Sequence, residues 1–215
     1  MASWMIHLRI ADKLLDRIPG LSPIEFIMGN MAPDSGVPNG DGSAFSPDPR
    51  ISHFRTDDGT GKKQIDLDAY LDRYFTPELR NGYNERQYAF YLGYYIHLLT
   101  DRLWSDKIAY PAVKKFGWES MPRIKENWCA LDFSYLRNRP GFRAFRAYLG
   151  SVGFLNTYID FFAPDAFDNR REYITGFYLQ DTEIPTELPY LTEAEADRFV
   201  DDAAAEILAR LEEIL

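Results

Sequence analysis

The segment 84–104 constrains the fold more than any other part of the 215-residue chain. From Tyr88 onward its residues are apolar or aromatic nearly all the way round a helical projection. A helix that is apolar on every side has to be surrounded by other helices or by lipid. This segment is flanked by charge and is too short for a membrane span. It therefore predicts a central helix buried inside a helical protein.

Helical spacing also dominates the rest of the chain. Apolar residues recur at three- and four-residue steps in the segment 4–18, and Ser22-Pro23 begins a short second helix that runs to Met31. Further helices are predicted at 105–116, 121–136, 142–149, 156–162 and 166–180, and from Thr192 onward. Strand-like alternation of convincing length and domain linkers are both absent. We predict an all-α fold: residues 1–215 form a single-domain multi-helix bundle around a central aromatic-rich helix.

Charge and cysteine content narrow the class of protein. The formal net charge of −9 argues against a nucleic-acid surface and against electrostatic docking to anionic lipid. The single cysteine, Cys129, cannot form an internal disulfide, so the fold does not depend on an oxidising compartment. The N-terminal residues lack the apolar core of a signal peptide, and no transmembrane run is present. We therefore expect a cytoplasmic protein.

The central helix carries a histidine and an aspartate with metal-ligand spacing. His97 and Asp101 are four residues apart, which places both side chains on one helix face, about one turn from each other. Both side chains can therefore reach the same ion. Gly93, one turn before His97, leaves room for another backbone or a ligand. In the first helix, His7 shares a face with apolar residues and is expected to point inward.

A long segment between the first helices and the central helix carries two more candidate ligands. Residues 29–64 contain six glycines and four prolines, so the stretch 35–64 is expected to be an irregular loop. Asp34 directly precedes this loop and His53 lies within it. Loops of this length inside a compact domain are usually functional or mobile. The two ligand-type residues favour the functional interpretation.

Each histidine alone also has an ordinary explanation. His97 and Asp101 could form a simple hydrogen-bonded pair, His7 could be a core residue, and His53 could be a surface residue. The combination is more informative, because the chain has only these three histidines and an unpaired charge at Asp101 would be costly in an apolar helix. Two histidines and two carboxylates suit zinc.

These residues together resemble the bacterial zinc-dependent phospholipase C family, whose helical fold is shared with P1-type nucleases. The resemblance rests on the helix with His7, on Gly29-Asn30-Met31-Ala32-Pro33-Asp34, on His53, and on the segment 92–101 that ends in His97-Leu98-Leu99-Thr100-Asp101. It covers about the first half of the chain. It implies a phospholipase C/P1 nuclease-like fold in which Asp34, His53, His97 and Asp101 bind one zinc ion. It also implies that His7 helps to bind a second ion, which shares Asp101.

The chain departs from the family after the central helix. The family's trinuclear site uses two further histidines and a glutamate there, and this chain has no histidine after His97. We therefore expect one well-formed zinc site, with a second site that is partial through His7. Asp132 could supply a carboxylate ligand or a base, or it could be an ordinary acid on the surface of a helix. The residues do not choose between zinc and another divalent ion.

The function that follows is a metal-dependent phosphoester hydrolase resembling phosphodiesterases and phospholipase C. Asp34 and Asp101 are the catalytic candidates, because they would take part in activating a metal-bound water. A small phosphoester or a phospholipid-like molecule is the expected substrate. One alternative is a non-catalytic helical protein in which the ion is structural. Another is a metal-free interaction module that uses its acidic C-terminal helix. The oligomeric state is left open.

Overall fold

The computed structural model of the protein describes residues 1–41, 44–57, 63–184 and 189–214. Two antiparallel strand pairs join β1 (Val37–Pro38) to β2 (Phe45–Ser46) and β3 (Arg55–Asp57) to β4 (Lys63–Ile65). The α-helices are, in chain order, α1 (Trp4–Leu15), α2 (Pro23–Met31), α3 (Pro49–Ser52), α4 (Leu67–Tyr74), α5 (Pro77–Gly82), α6 (Glu85–Trp104), α7 (Tyr110–Phe116), α8 (Met121–Asn138), α9 (Arg143–Gly150), α10 (Ala166–Tyr178) and α11 (Glu193–Ile214). The all-α fold class predicted from the sequence is confirmed.

Helix α6 is the central helix of this arrangement. Its N-terminus is capped by Asn84, whose side chain accepts a hydrogen bond from the backbone of Gln87 while the Gln87 side chain accepts one from the backbone of Asn84. Every residue from Ala89 to Asp101 is buried. This continuous burial matches the absence of a polar face in the sequence of the helix. The polar groups of His97 and Asp101 therefore need partners inside the protein.

Helices α2 and α6 make an unusually close backbone contact. A Cβ atom added to Gly93 would lie 2.2 Å from the carbonyl oxygen of Phe26, and one added to Gly29 would lie 2.0 Å from the carbonyl oxygen of Phe90. Glycine is therefore required at both positions for the helices to approach this closely. The space predicted beside Gly93 is occupied by the backbone of α2. This contact brings Asn30 next to His97.

The other helices complete one hydrophobic core around α6. The Trp104 ring packs edge-on against Trp128 of α8 and Phe199 of α11, with ring centroids 5.1 and 4.9 Å apart. The apolar side of α11 lies in the core, including Val200 and Ile207. Its apolar surface is thus already covered within the chain. In the described ranges, none of the helices combines the length and the apolar character that crossing a bilayer requires.

Two predictions about local structure are wrong. The segment 156–162 is not helical, because the Asn156 side chain bonds to the backbone of its neighbours: its amide donates to the carbonyls of Ile159 and Phe162, and its oxygen accepts from two backbone amides. The described part of the segment 35–64 is more regular than expected, since it contains α3 and all four short strands. Helices α4 and α5 follow it and were not predicted.

Candidate metal centre

His97 is fixed by a hydrogen bond to the neighbouring helix. Its Nδ1 lies 2.7 Å from the backbone carbonyl oxygen of Asn30, and its side chain is fully buried. A carbonyl oxygen can only accept, so Nδ1 carries the proton and donates it. Nε2 of the neutral ring is then left with a free lone pair. A backbone carbonyl that binds the other ring nitrogen is the usual way in which proteins orient a metal-ligating histidine.

His53 and Asp34 approach His97 from the segment after α2. Asp34 ends a 3₁₀-helical turn (Ala32–Asp34) that directly follows α2, and His53 caps the C-terminus of α3. The hydroxyl of Tyr94, on α6, donates to the carbonyl of Ser52 over 2.5 Å and so ties this segment to the central helix. His53 Nδ1 is paired with the Ser52 hydroxyl at 2.9 Å. His53 Nε2 therefore faces the buried centre.

The ligand-type atoms converge at separations that suit a metal ion. His53 Nε2 lies 3.2 Å from Asp34 Oδ1 and 3.3 Å from His97 Nε2. Asp101 Oδ2 lies 3.7 Å from both of these histidine nitrogens and has no hydrogen-bond donor. Ligands held at about 2.0–2.2 Å in a tetrahedral zinc site are roughly 3.3–3.6 Å apart. Asp34, His53 and His97 therefore form a group that fits a zinc ion, with Asp101 Oδ2 slightly farther from the two histidine nitrogens.

His7 contributes a second group of potential ligands. Its ring stacks on that of His97, with centroids 3.8 Å apart and planes 4° from parallel. His7 Nε2 lies 3.3 Å from Asp101 Oδ1, and neither of its ring nitrogens has a hydrogen-bond partner, although the side chain is fully buried. The backbone amide of Ala2 donates to the same Asp101 oxygen over 2.7 Å. A bound ion would satisfy Nε2, the ring nitrogen that lies beside Asp101.

The protonation states in the centre also suit metal binding. Burial, together with the adjacent His7, lowers the pKa of His97 to about 3, so the ring is neutral at physiological pH. Burial alone would raise the pKa of Asp34, but the hydrogen bond with His53 and the neighbouring His97 hold it well below its usual value. The pKa of Asp101 is also held low, against burial, by the amino-terminal charge and by His7. Neutral imidazole and ionised carboxylate are the forms that bind metal.

Of the alternatives expected for Asp132, the ordinary acid on a helix surface is wrong, because the side chain is buried. It is only 4% exposed, and its two oxygens accept hydrogen bonds from the hydroxyls of Ser3 (2.8 Å) and Tyr178 (2.7 Å). Burial raises the pKa of Asp132 to about 7. Asp132 belongs to neither group of potential metal ligands found among the described residues. Its carboxyl group links α1, α8 and α10 beside the centre.

A cavity of about 970 Å³ opens onto the centre. Asp34, His53 and Asp101 form part of its lining, as does Asp132. The walls are mostly apolar, with contributions from the β1–β2 pair, the segment after α7, α8 and α10. Arg55, Lys125 and Arg170 are the basic residues of the described lining. A cavity of this size can take up a substrate much larger than a phosphate group.

Five predicted site residues meet at this centre as two overlapping groups. Asp34, His53 and His97 form one, and His7, His97 and Asp101 form the other. Three features of the site are not predictable from the sequence patterns: the Asn30 carbonyl, the hydroxyls of Ser3 and Tyr178, and the basic residues of the cavity. Asn30 lies within one of the segments that resemble the family. Its contact with His97 is made by the backbone carbonyl, however, and the identity of a side chain does not predict a backbone contact.

The comparison with protein families agrees with this geometry. Residues 6–104 match the family described as zinc dependent phospholipase C, a range that includes His7, Asp34, His53, His97 and Asp101. Comparison with curated proteins and with solved structures gave no match. The matched range ends with α6, before α7 to α11. Over residues 6–104, this chain is therefore similar to the zinc dependent phospholipase C family.

Proposed function

We propose that this protein is a zinc-dependent phosphoester hydrolase of the phospholipase C type. The observation that carries the proposal is the convergence of two imidazole nitrogens and two carboxylates beside a large cavity, whose lining includes Asp34, His53 and Asp101. Two of these groups, His53 Nε2 and Asp101 Oδ2, approach the same point from different parts of the fold. The family match over residues 6–104 supports a metal-dependent hydrolase. The phosphoester substrate and the number of ions belong to the proposal.

Asp34, His53, His97 and Asp101 would hold the first ion, and His7 with Asp101 would hold part of a second. Zinc bound in such a site lowers the pKa of a coordinated water and stabilises negative charge on phosphoryl oxygens. The Asn30 carbonyl keeps the proton of His97 on Nδ1, so Nε2 stays available. The Ala2 amide holds Asp101 Oδ1 and so leaves Oδ2 directed at His53 and His97.

The protein's own groups would position the substrate. Asp34 and Asp101 both line the cavity, and as catalytic residues they would border the attacking water and accept a hydrogen bond from it. Arg55 and Arg170 are half-buried basic side chains in the same lining, suited to the charge of a phosphoester. The apolar walls can accommodate acyl or other apolar groups. A small phosphoester or a phospholipid-like molecule fits this combination.

Metal analysis and hydrolysis of bis-p-nitrophenyl phosphate test the proposal together. Protein purified without chelator should contain zinc and hydrolyse the diester, whereas the His97→Ala and Asp34→Asn variants should lose both properties by at least roughly tenfold. Asp181→Asn is the matched control, because Asp181 is fully exposed and far along the chain from the centre. Wild-type zinc content and turnover in His97→Ala would refute the proposed site.

A structural metal site is the second candidate function. Its support is the burial of the ligands, since His53, His97 and Asp101 are each at most 2% exposed. Four protein ligands also fill a tetrahedral ion, as is usual for structural zinc. One tightly bound ion, a melting temperature that falls sharply on chelation, and no turnover of the diester would favour this candidate over the hydrolase.

A further inference from the structure

Asp132 is a buried carboxyl group that nevertheless forms part of the cavity lining. Ser3 and Tyr178, whose hydroxyls donate to its two oxygens, line the same cavity. Asp132 and Tyr178 are both buried, whereas Ser3 is half-buried. The hydroxyl of Ser3 therefore lies between the Asp132 carboxyl and the more open part of the cavity.

The groups around Asp132 leave it without an ion-pair partner among the described residues. Arg9 and His7, on α1, both favour its ionised form, but each is paired with a different acid. Cys129, on the same helix as Asp132, is uncharged, because burial raises the pKa of its thiol to about 11. Burial therefore dominates and raises the pKa of Asp132 to about 7. A large share of the protein keeps a proton on this group at neutral pH.

The first residues of the chain connect Asp132 to the metal centre. The Ala2 amide donates to Asp101 Oδ1 over 2.7 Å, and the hydroxyl of Ser3 donates to Asp132 Oδ1 over 2.8 Å. Neighbouring Cα atoms are only about 3.8 Å apart, so the two carboxyl groups flank one short piece of backbone. Asp101, Ser3 and Asp132 all line the cavity. A phosphoester bound at the centre would therefore lie beside Ser3.

We propose that Asp132 supplies the proton for the departing group of the substrate and that the hydroxyl of Ser3 delivers it. This inference rests on the proposed hydrolysis. Attack by water forms one P–O bond while the bond to the departing oxygen breaks, and that oxygen keeps the bonding electron pair. It takes the proton of the Ser3 hydroxyl, and Ser3 takes the proton of Asp132, which becomes a carboxylate.

The remaining protons of the reaction also have a place. The proton that the attacking water loses passes to one of the carboxylates that border it, Asp34 or Asp101, and from there to solvent. Asp132 takes up a new proton from solvent before the next reaction. One water is consumed, and the departing group leaves as an alcohol or a phenol.

The contacts of Ser3 and Tyr178 suit these two roles. A serine hydroxyl can donate one hydrogen bond and accept two, so Ser3 can accept from Asp132 while it donates to a substrate. The backbone amide of Ile6, 3.4 Å from Ser3 Oγ, holds this oxygen at the start of α1. The Tyr178 hydroxyl, 2.7 Å from Asp132 Oδ2, stabilises the carboxylate that remains after the proton has left.

Two diesters of similar shape test this proton transfer. Phenol has a pKa of about 10, so the phenolate of diphenyl phosphate departs slowly without a proton. The p-nitrophenolate of bis-p-nitrophenyl phosphate is a much weaker base and departs more easily. For Asp132→Asn, kcat/KM should fall at least roughly hundredfold with diphenyl phosphate and much less with bis-p-nitrophenyl phosphate. A purely structural defect would lower both values by the same factor.

Variants of Ser3 test the delivery step, and they do not require any change at Asp132. Ser3→Ala should show the same selective loss with diphenyl phosphate, and Ser3→Thr, which keeps a hydroxyl, should recover most of it. Asp181→Asn is the control, since this exposed side chain lies outside the cavity lining, and its ratio of the two kcat/KM values should equal that of wild type.

The pH dependence gives a further measurement. In wild type, kcat/KM for diphenyl phosphate should fall as pH rises above about 7, because Asp132 loses its proton. This fall should be absent in Asp132→Asn. Infrared difference spectra, recorded with and without chelator, measure the same proton without turnover: wild type should show the carbonyl band of a protonated carboxyl group that disappears over this pH range, and Asp132→Asn should lack it.

Equal losses with both diesters in Asp132→Asn would overturn the proposal, and so would the absence of the protonated carboxyl band from wild type below pH 7. These results leave the hydrolase itself standing, provided that wild type hydrolyses the diesters. No hydrolysis of either diester by zinc-containing wild type would refute the hydrolase and the proton transfer together.

Discussion

The Nδ1 atom of His97 lies 2.7 Å from the backbone carbonyl oxygen of Asn30, across the contact between α2 and α6. This bond fixes which ring nitrogen carries the proton, and so it connects the packing of α2 and α6 to the chemistry of the metal centre. The position of Asn30 in turn depends on Gly29 and Gly93, which allow the two helices to approach.

The tautomer of His97 should be visible in metal-free protein. Since burial lowers its pKa to about 3, the ring should remain neutral, protonated on Nδ1 and unprotonated on Nε2, from about pH 8 to about pH 5. An ordinary histidine becomes charged over this range, with a pKa near 6.5. Long-range ¹H–¹⁵N NMR spectra of the three imidazoles measure this directly. A His97 ring that gains a second proton near pH 6.5 would contradict the assignment.

The close contact between α2 and α6 should be intolerant of a methyl group. Gly93→Ala would place a Cβ atom 2.2 Å from the Phe26 carbonyl oxygen and 2.9 Å from the Asn30 nitrogen. Overpacking of this kind costs about 1–3 kcal/mol, and the melting temperature should fall by about 2–4 °C for each kcal/mol. Zinc affinity should fall as well, because Asn30 is displaced.

Gly176→Ala is the matched control for this substitution. Gly176 also lies inside a helix, α10, but an added Cβ atom would have nothing within 4 Å. Alanine is favoured over glycine in a helix by about 0.5–1 kcal/mol, so this variant should be at least as stable as wild type. Equal melting temperatures for Gly93→Ala and Gly176→Ala would show that the helix contact is looser than described.

Substitution of His7 should distinguish a ligand from a core residue. If His7 holds part of a second ion, His7→Phe should lower zinc content and diester hydrolysis while the stacking on His97 and the stability are largely kept. His7→Ala should lose zinc and activity in the same way and should also lower the melting temperature, because it leaves a cavity under the His97 ring. Unchanged zinc content and activity in His7→Phe would remove His7 from the site.

The carboxyl group of Asp132 should make the protein less stable as pH rises from about 4 to about 7. Its pKa is about 7 in the folded protein, whereas an unfolded chain ionises aspartate near pH 4. Between these values the unfolded state binds fewer protons, so this group lowers the free energy of unfolding as pH rises. Asp132→Asn keeps an oxygen for the Tyr178 hydroxyl and cannot ionise. It should therefore be more stable, relative to wild type, at pH 8 than at pH 5.

Thermal melts in the presence of chelator measure this difference without a contribution from bound metal. The fully exposed Asp181 provides the control, since Asp181→Asn should differ from wild type by the same amount at both pH values. A pH-independent difference for Asp132→Asn would mean that the Asp132 carboxyl ionises in the folded protein as it does in water.

The sequence by itself determined the helical class, the central position of α6 and the candidate residues of the metal centre. Local rules suffice for these, since an unbroken apolar run predicts a buried helix and a four-residue spacing places His97 and Asp101 on one face. The prediction failed at 156–162, where the side chain of Asn156 competes for the backbone. The segment between Asp34 and α4 was also expected to be irregular, whereas it contains α3 and short strands.

Only the tertiary structure decided how the candidate residues meet. The separation of His53 from His97 is set by packing between segments 44 residues apart, and the tautomer of His97 is set by a backbone oxygen that no residue type encodes. The burial of Asp132 likewise depends on which helices become neighbours. Spacing along a chain fixes faces within one element, whereas distances between elements arise from the packing of the whole core.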